Sequence, residues 1–140
     1  IDGYQSRNER LADLMRRFGI CEEKSSGIDR VIESAELMQL PAPEFLTGHK
    51  RTTVVIYGPR ALREMNGSDR VRACYQHCVL QYVLRKQMTN QSLRERFGLS
   101  EGSSNTVSQI ITATMEQGLV KNDPNAPDSR RYARYIPIWA

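Results

Sequence analysis

The chain predicts an α+β protein, with a small helix-helix-strand unit followed by a winged helix-turn-helix domain. Three observations carry this. Thr89-Asn90-Gln91-Ser92-Leu93-Arg94-Glu95-Arg96-Phe97-Gly98-Leu99 has the form of a short helix closed by a glycine. After a serine-rich turn, residues 106–117 read as a second helix that ends at Gly118. Leu119-Val120 then starts a strand, a turn-rich loop spans residues 122–131, and the β-prone residues 132–139 return as a hairpin with a basic tip. Helix, turn, helix, basic hairpin is the order of a module that enters a DNA groove.

The earlier elements follow in order. Asn8 can cap a helix through Leu11, Leu14, Met15 and Phe18, with Gly19 as its stop and Ile20-Cys21 buried just after it. Ser25 or Ser26 can cap a second helix, with Ile28, Val31, Ile32 and Ala35 on one face and Asp29, Arg30, Glu33 and Glu36 outside. Leu40-Pro41-Ala42-Pro43 ends it, because proline neither donates a backbone hydrogen bond nor tolerates a helical residue before it. Thr47-Gly48-His49-Lys50 reads as a turn and the β-branched residues 51–57 as a strand.

Gly58-Pro59 breaks the pattern, which places the domains at residues 1–58 and 68–140 with a linker over 59–67 that holds a short helix. Asn66-Gly67-Ser68-Asp69 is a turn, with Ser68 or Asp69 capping the next helix. That helix carries Val71, Cys74, Tyr75, Cys78, Val79, Tyr82 and Val83 at three- and four-residue spacing, and so predicts the first helix of the winged-helix core.

Charge is distributed unevenly. Residues 1–67 hold ten Lys/Arg and ten Asp/Glu, whereas residues 68–140 hold ten against six, so the whole net charge of +4 falls in the second part. That asymmetry suits a polyanionic partner, double-stranded DNA. A solvated basic surface is the plainer reading. An odd count of three cysteines, no signal peptide and no apolar run long enough to span a bilayer predict a cytoplasmic chain with free thiols and no membrane partner. The chain begins at Ile1 rather than Met and therefore reads as part of something longer.

On the second helix of the helix-turn-helix, Val107, Ile110, Ile111 and Met115 make a buried stripe. Ser103, Ser104, Asn105, Ser108, Gln109 and Thr112 lie mostly off it, and these short uncharged donors and acceptors suit base edges and phosphates. They equally suit a solvated polar face near a cap. No Arg or Lys lies between Ser100 and Gln117, so phosphate charge has to come from Arg94 and Arg96 before it and from Lys121, Arg130, Arg131 and Arg134 on the wing. Pairing of Arg130 and Arg131 with Asp123 or Asp128 is the alternative. Tyr132, Tyr135 and Trp139 read as core and wing packing rather than a stacking platform.

Catalytic and cofactor signals are weak. Cys74-Tyr75-Gln76-His77-Cys78 has no partner pair with which to complete a four-ligand zinc site, so buried thiols explain it better. His49 stands alone in a turn. There is no Ser-His-Asp set, no defined acidic pair and no GxxxxGK[ST] loop, so neither an enzyme nor a cofactor is expected from these residues.

Two stretches carry a family resemblance. The first comprises Arg7-Asn8-Glu9, Leu11-Ala12, Phe18-Gly19-Ile20, residues 22–30, and Leu40-Pro41-Ala42-Pro43-Glu44-Phe45; the second is residues 131–140. Together they resemble the C-terminal part of bacterial RecG-related transcriptional regulators of the AlbA-like, or divergent-AAA, type, also described as ATP-dependent DNA helicases. The resemblance implies an upstream AlbA-like domain and Ala140 as the natural end. It also implies a glycine-rich, nucleotide-holding stretch, but Ser25-Ser26-Gly27 stands where the family has Gly-Ser-Gly, and Gly27 is more simply a helix start. The expected function is a DNA-binding transcriptional regulator acting as a homodimer. A protein-interaction or dimerisation winged helix, and an accessory module of an ATP-dependent helicase-like enzyme, are the alternatives.

Overall fold

The computed structural model describes residues 6, 8–21, 27–127, 129 and 132–140. The chain divides into two compact units, residues 1–31 and residues 32–140.

The first unit is built on α1, Glu9–Arg17. Asn8 is extended, and its Oδ1 accepts the Leu11 backbone N–H at 3.0 Å. Glu9 in the first turn and Arg16 and Arg17 in the last complement the helix dipole. Gly19 takes a φ of +67°, which an L side chain rarely adopts, and ends the helix as expected. Arg16 hydrogen-bonds Asp13 and, together with Arg17, holds its carboxyl below the usual carboxylate range. The expected burial of Ile20-Cys21 does not occur. Ile20 is 67% exposed, and Cys21 is only half-buried, its thiol near the Ala12 carbonyl at 4.0 Å. The capping serines proposed for the next helix, Ser25 and Ser26, lie outside the described residues.

Helix α2, Gly27–Leu37, buries Ala35, while Val31 and Ile32 are half-buried and Ile28 is exposed. Gln39, with a φ of 53°, turns the chain, and the Leu40 N–H closes back on the Ala35 carbonyl at 2.9 Å. The predicted stop is buried at residues 41–43 and half-buried at Leu40, and its carbonyls serve as docking points. Leu40 accepts from Arg96 Nη2 (2.5 Å), Ala42 from Arg72 Nε (3.2 Å) and Pro43 from Gln76 Nε2 (2.7 Å).

A hairpin follows. Strands β1, Glu44–Thr47, and β2, Thr52–Val55, pair antiparallel from Glu44 opposite Val55 to Thr47 opposite Thr52. The predicted turn is present, with Gly48 N donating to Arg51 O at 2.8 Å, whereas the strand before it was not anticipated. Just beyond β2, the Tyr57 hydroxyl donates to Glu44 Oε2 at 2.9 Å, which raises the phenol above its ordinary range. The Tyr57 ring lies 5.5 Å from the guanidinium carbons of both Arg60 and Arg72.

Residues 59–67 hold one 3₁₀ turn, Leu62–Glu64. Helix α3, Gly67–Val83, is capped by Asn66, whose Oδ1 accepts the Asp69 N–H at 2.8 Å. Neither expected cap serves: the helix has already begun at Ser68, and the Asp69 carboxylate is engaged by Arg72 (2.7 Å) and Arg60 (3.5 Å). Helix α4, Asn90–Arg96, carries a reciprocal cap in which Thr89 and Ser92 each bind the other's backbone N–H, and Gly98 with φ +62° ends it. A 3₁₀ turn, Glu101–Ser103, leads into α5, Ser104–Glu116, which starts two residues earlier than predicted and stops before Gly118 at φ +68°. Strands β3, Val120–Asn122, and β4, Tyr135–Pro137, close an antiparallel pair, and Tyr135 also bridges to Met88.

The core joins α3, α4, α5 and β3 through Cys74, Cys78, Met88, Leu93, Val107, Ile110, Ile111 and Val120. Tyr135 packs against it. Tyr132 and Trp139, expected in the core, are exposed instead (57% and 58%). Trp139 leans on the rim of α3, its Nε1–H donating to the Tyr75 hydroxyl (3.2 Å) and its ring meeting Tyr82 edge-on at 5.5 Å.

A charged cluster penetrates this interior. Glu36 of α2 lies 2.8 Å from His77 Nδ1 of α3 and 2.6 Å from Arg96 Nε of α4. The Arg96 contact is close but not aligned as an N–H···O bond, so its attraction is coulombic rather than directional. The guanidinium also stacks 5.8 Å from the Phe97 ring centroid.

Truncating the fully buried Leu93 to alanine should cost about 2–5 kcal/mol, while Leu14→Ala on the exposed side of α1 should change stability by under about 0.5 kcal/mol, both read by chemical denaturation. Burial pushes the Cys74 thiol up to about 11 and the Cys78 thiol up to about 12. The folded state therefore holds these protons more tightly than the unfolded chain. The resulting stability should be intact below about pH 9 and decline as pH rises toward those values, and Cys74→Ala/Cys78→Ala should flatten that decline. Mass spectrometry after native alkylation should find Cys21 modified well before Cys74 or Cys78.

Candidate nucleic-acid interface

The outer face of α5 is set by its inner one. Val107, Ile110, Ile111 and Thr114 are buried, and Thr114 spends its hydroxyl on the Ile110 carbonyl at 2.7 Å. The helical period then sends Asn105, Gln109, Thr112 and Glu116 outward as one exposed stripe. No side chain caps the first turn at Ser103.

An open groove of about 1070 Å³ runs between this helix, α4 and the segment entering β4. It collects six of the expected contact residues, Arg94, Ser104, Asn105, Ser108, Thr112 and Arg134, and adds Tyr132 and Asn90. Gln109 lies beside it in a shallower depression of about 480 Å³ with Asn105, Thr112 and Glu116. Ser103, half-buried in its 3₁₀ turn, and Lys121, half-buried on β3, line neither. Arg130 and Arg131 lie outside the described residues. The Asp123 carboxylate proposed as their partner accepts the Asn125 N–H at 2.9 Å and a Gln87 amide hydrogen at 3.4 Å.

Asn90 organises the groove and was not singled out from the sequence. Its Nδ2 donates to the Ser104 carbonyl and the Ser108 hydroxyl, each at 3.0 Å. Its Oδ1 accepts from Arg94 Nε (3.1 Å) and the Ser104 hydroxyl (3.2 Å). Both amide hydrogens and both acceptor positions are thus occupied within the fold. Ser104, Ser108 and Arg94 are accordingly tied down as well as exposed to the groove, while Asn105 and Gln109 make no side-chain hydrogen bond among the described residues. A polar residue at the first position of α4 was the only sequence signal for this hub.

Arg96, expected to supply phosphate charge, cannot do so from this position. It is 4% exposed and committed to Glu36 and the Leu40 carbonyl. Both ring nitrogens of His77 are engaged: Nδ1 faces Glu36 and Nε2 faces Ser92 Oγ at 3.1 Å. This creates a Ser92–His77–Glu36 line that the sequence could not display, because its members come from three helices. His77 is only 4% exposed, and Ser92 Oγ is spent on the Thr89 backbone, so the line serves packing.

Residues 2–56 match the family model described as "Putative ATP-dependent DNA helicase recG C-terminal". The resemblance carried by the first stretch therefore holds in that part of the chain, and residues 57–140, which form the groove, lie outside the match. No curated protein and no solved structure matches the chain. Among the described residues, no helix is long and apolar enough to cross a membrane.

Replacing Asn90 with alanine should strip the start of α5 of its tether to α4. The expected result is a loss of about 1–2 kcal/mol and faster amide hydrogen exchange over residues 104–108, with exchange in the core of α3 little changed.

Proposed function

We propose that residues 68–140 form a winged-helix DNA-binding unit and that the protein is a transcriptional regulator working on duplex DNA in the cytoplasm. The observation that carries this reading is the groove itself. An exposed helix face of amides and hydroxyls stands beside Arg94 and Arg134, with no acidic side chain among the described residues that line the groove. Cations at the rim suit phosphates, and small uncharged groups at the centre suit base edges. The hairpin β3–β4 takes the part of the wing and α5 that of the recognition helix. A homodimer fits the reading, since a single module of this size covers only a half-site, and an upstream AlbA-like domain would add sensing or affinity.

A protein-interaction winged helix is favoured by a different observation, the exposed Tyr82, Val83, Leu84, Ile138 and Trp139. An accessory role in a nucleotide-driven enzyme draws on the family description of residues 2–56, and isothermal titration with ATP and Mg²⁺ tests it.

Fluorescence anisotropy with a labelled duplex at several salt concentrations tests the main reading. Affinity should fall steeply with salt. Arg134→Ala should weaken binding to all duplexes alike and reduce the slope of log affinity against log salt by about 1, as should each wing arginine removed in Arg130→Ala/Arg131→Ala. Binding that ignores salt, or the absence of binding at low salt, overturns the proposal.

A further inference from the structure

We infer that the outer face of α5 is built to read adenine, through Asn105 and Gln109, in the major groove. This rests on the DNA-binding reading above and goes beyond it in naming the base and the two residues that select it.

The inference begins with which side chains are free. Ser104 and Ser108 have their hydroxyls held by Asn90, and Arg94 donates its Nε there too. Asn105 and Gln109 are exposed and make no side-chain hydrogen bond among the described residues. Their carboxamides can turn to meet a partner without breaking anything in the fold.

A carboxamide offers a donor and an acceptor side by side. Adenine presents a donor at N6 and an acceptor at N7 in the major groove, so one amide satisfies both. Guanine presents two acceptors, O6 and N7, and leaves the amide oxygen facing like against like. The residues that satisfy guanine are Arg and Lys, and this helix has none. The spacing also fits. Positions i and i+4 are about 6 Å apart along the helix axis, close to two base-pair steps of about 3.4 Å.

The neighbours on the stripe agree. Thr112 brings a methyl group suited to the thymine methyl that accompanies adenine. Glu116, exposed at the far end, repels phosphates and favours entry of α5 by its N-terminal end, where Asn105 and Gln109 stand.

The test uses the 140-residue chain and three short duplexes of equal length and flanks. One has an A·T centre, one a G·C centre, and one the A·T centre with 7-deazaadenine, which lacks only the N7 acceptor. The A·T duplex should bind about tenfold tighter than the G·C duplex, and the deaza duplex should lose most of that advantage. Asn105→Ala/Gln109→Ala, which leaves the core and the Asn90 tether intact, should bind all three at the G·C level.

Equal binding of A·T and G·C duplexes by the unmodified chain overturns the inference while leaving DNA binding standing. A preference that survives deaza substitution or the double substitution also overturns it, since the preference would then come from DNA shape or the minor groove. Binding to none of the three removes the DNA reading itself, and the inference with it.

Discussion

Glu36 carries a negative charge into the interior of the second unit, and the surrounding helices are arranged to keep it paired. A buried carboxylate left alone would be costly, whereas one that meets a cation and a hydrogen-bond donor is tolerated. His77 approaches from α3 and Arg96 from α4, so one group ties three helices. Arg96 then reaches on to the Leu40 carbonyl, while Arg72 and Gln76 take those of Ala42 and Pro43. The residues that end α2 thereby become a seam along which the segment before the hairpin is fastened to α3 and α4. Buried ionic clusters add little net stability compared with apolar packing, but they penalise any arrangement that separates their members. Here that penalty falls on any rotation of α4 away from α2 and α3.

The orientation of α4 matters because α5 is referenced to it. Leu93 and the Thr89–Ser92 cap hold α4 in the core, and Asn90, at the head of the helix, holds the start of α5. Charge buried at one end of a seven-residue helix is thus linked, through that helix, to the position of an exposed polar face at the other. Core apolar packing then sets the rotation of α5 about its own axis, since Val107, Ile110 and Ile111 can face only one way.

In the proposed DNA complex, the groups along the groove divide their labour. Arg94 and Arg134 place positive charge at its rim, Asn90 spends its capacity on holding the scaffold, and the unpaired amides of α5 are left for recognition. Such an arrangement suits attraction led by phosphates, with sequence discrimination carried by few contacts. The matched residues 2–56 end before the groove begins, so the family match and the candidate interface belong to different parts of the chain.

Local physics was legible in the residues themselves. Asn8, Gly19, Gly98 and Gly118 act where they stand because caps and positive-φ positions depend on a few neighbouring atoms. The inner stripe of α5 was equally readable, because helical periodicity needs no knowledge of the partner. Strand β1 was missed because four residues without clear alternation show their nature only when β2 pairs with them. Asp69 is not the cap because α3 already begins at Gly67 under Asn66, and its carboxylate pairs with Arg72 one turn on and with Arg60 before the helix. Arg94 and Arg96 sit two places apart on one helix and look interchangeable, yet one lines the groove and the other is sealed against Glu36, sixty positions earlier. The sequence by itself determined where α1, α4 and α5 stop and which face of α5 is apolar, since those follow from short-range hydrogen bonds and period. Tertiary structure alone decided which polar groups are spent and which are free, because that depends on partners brought together from distant positions.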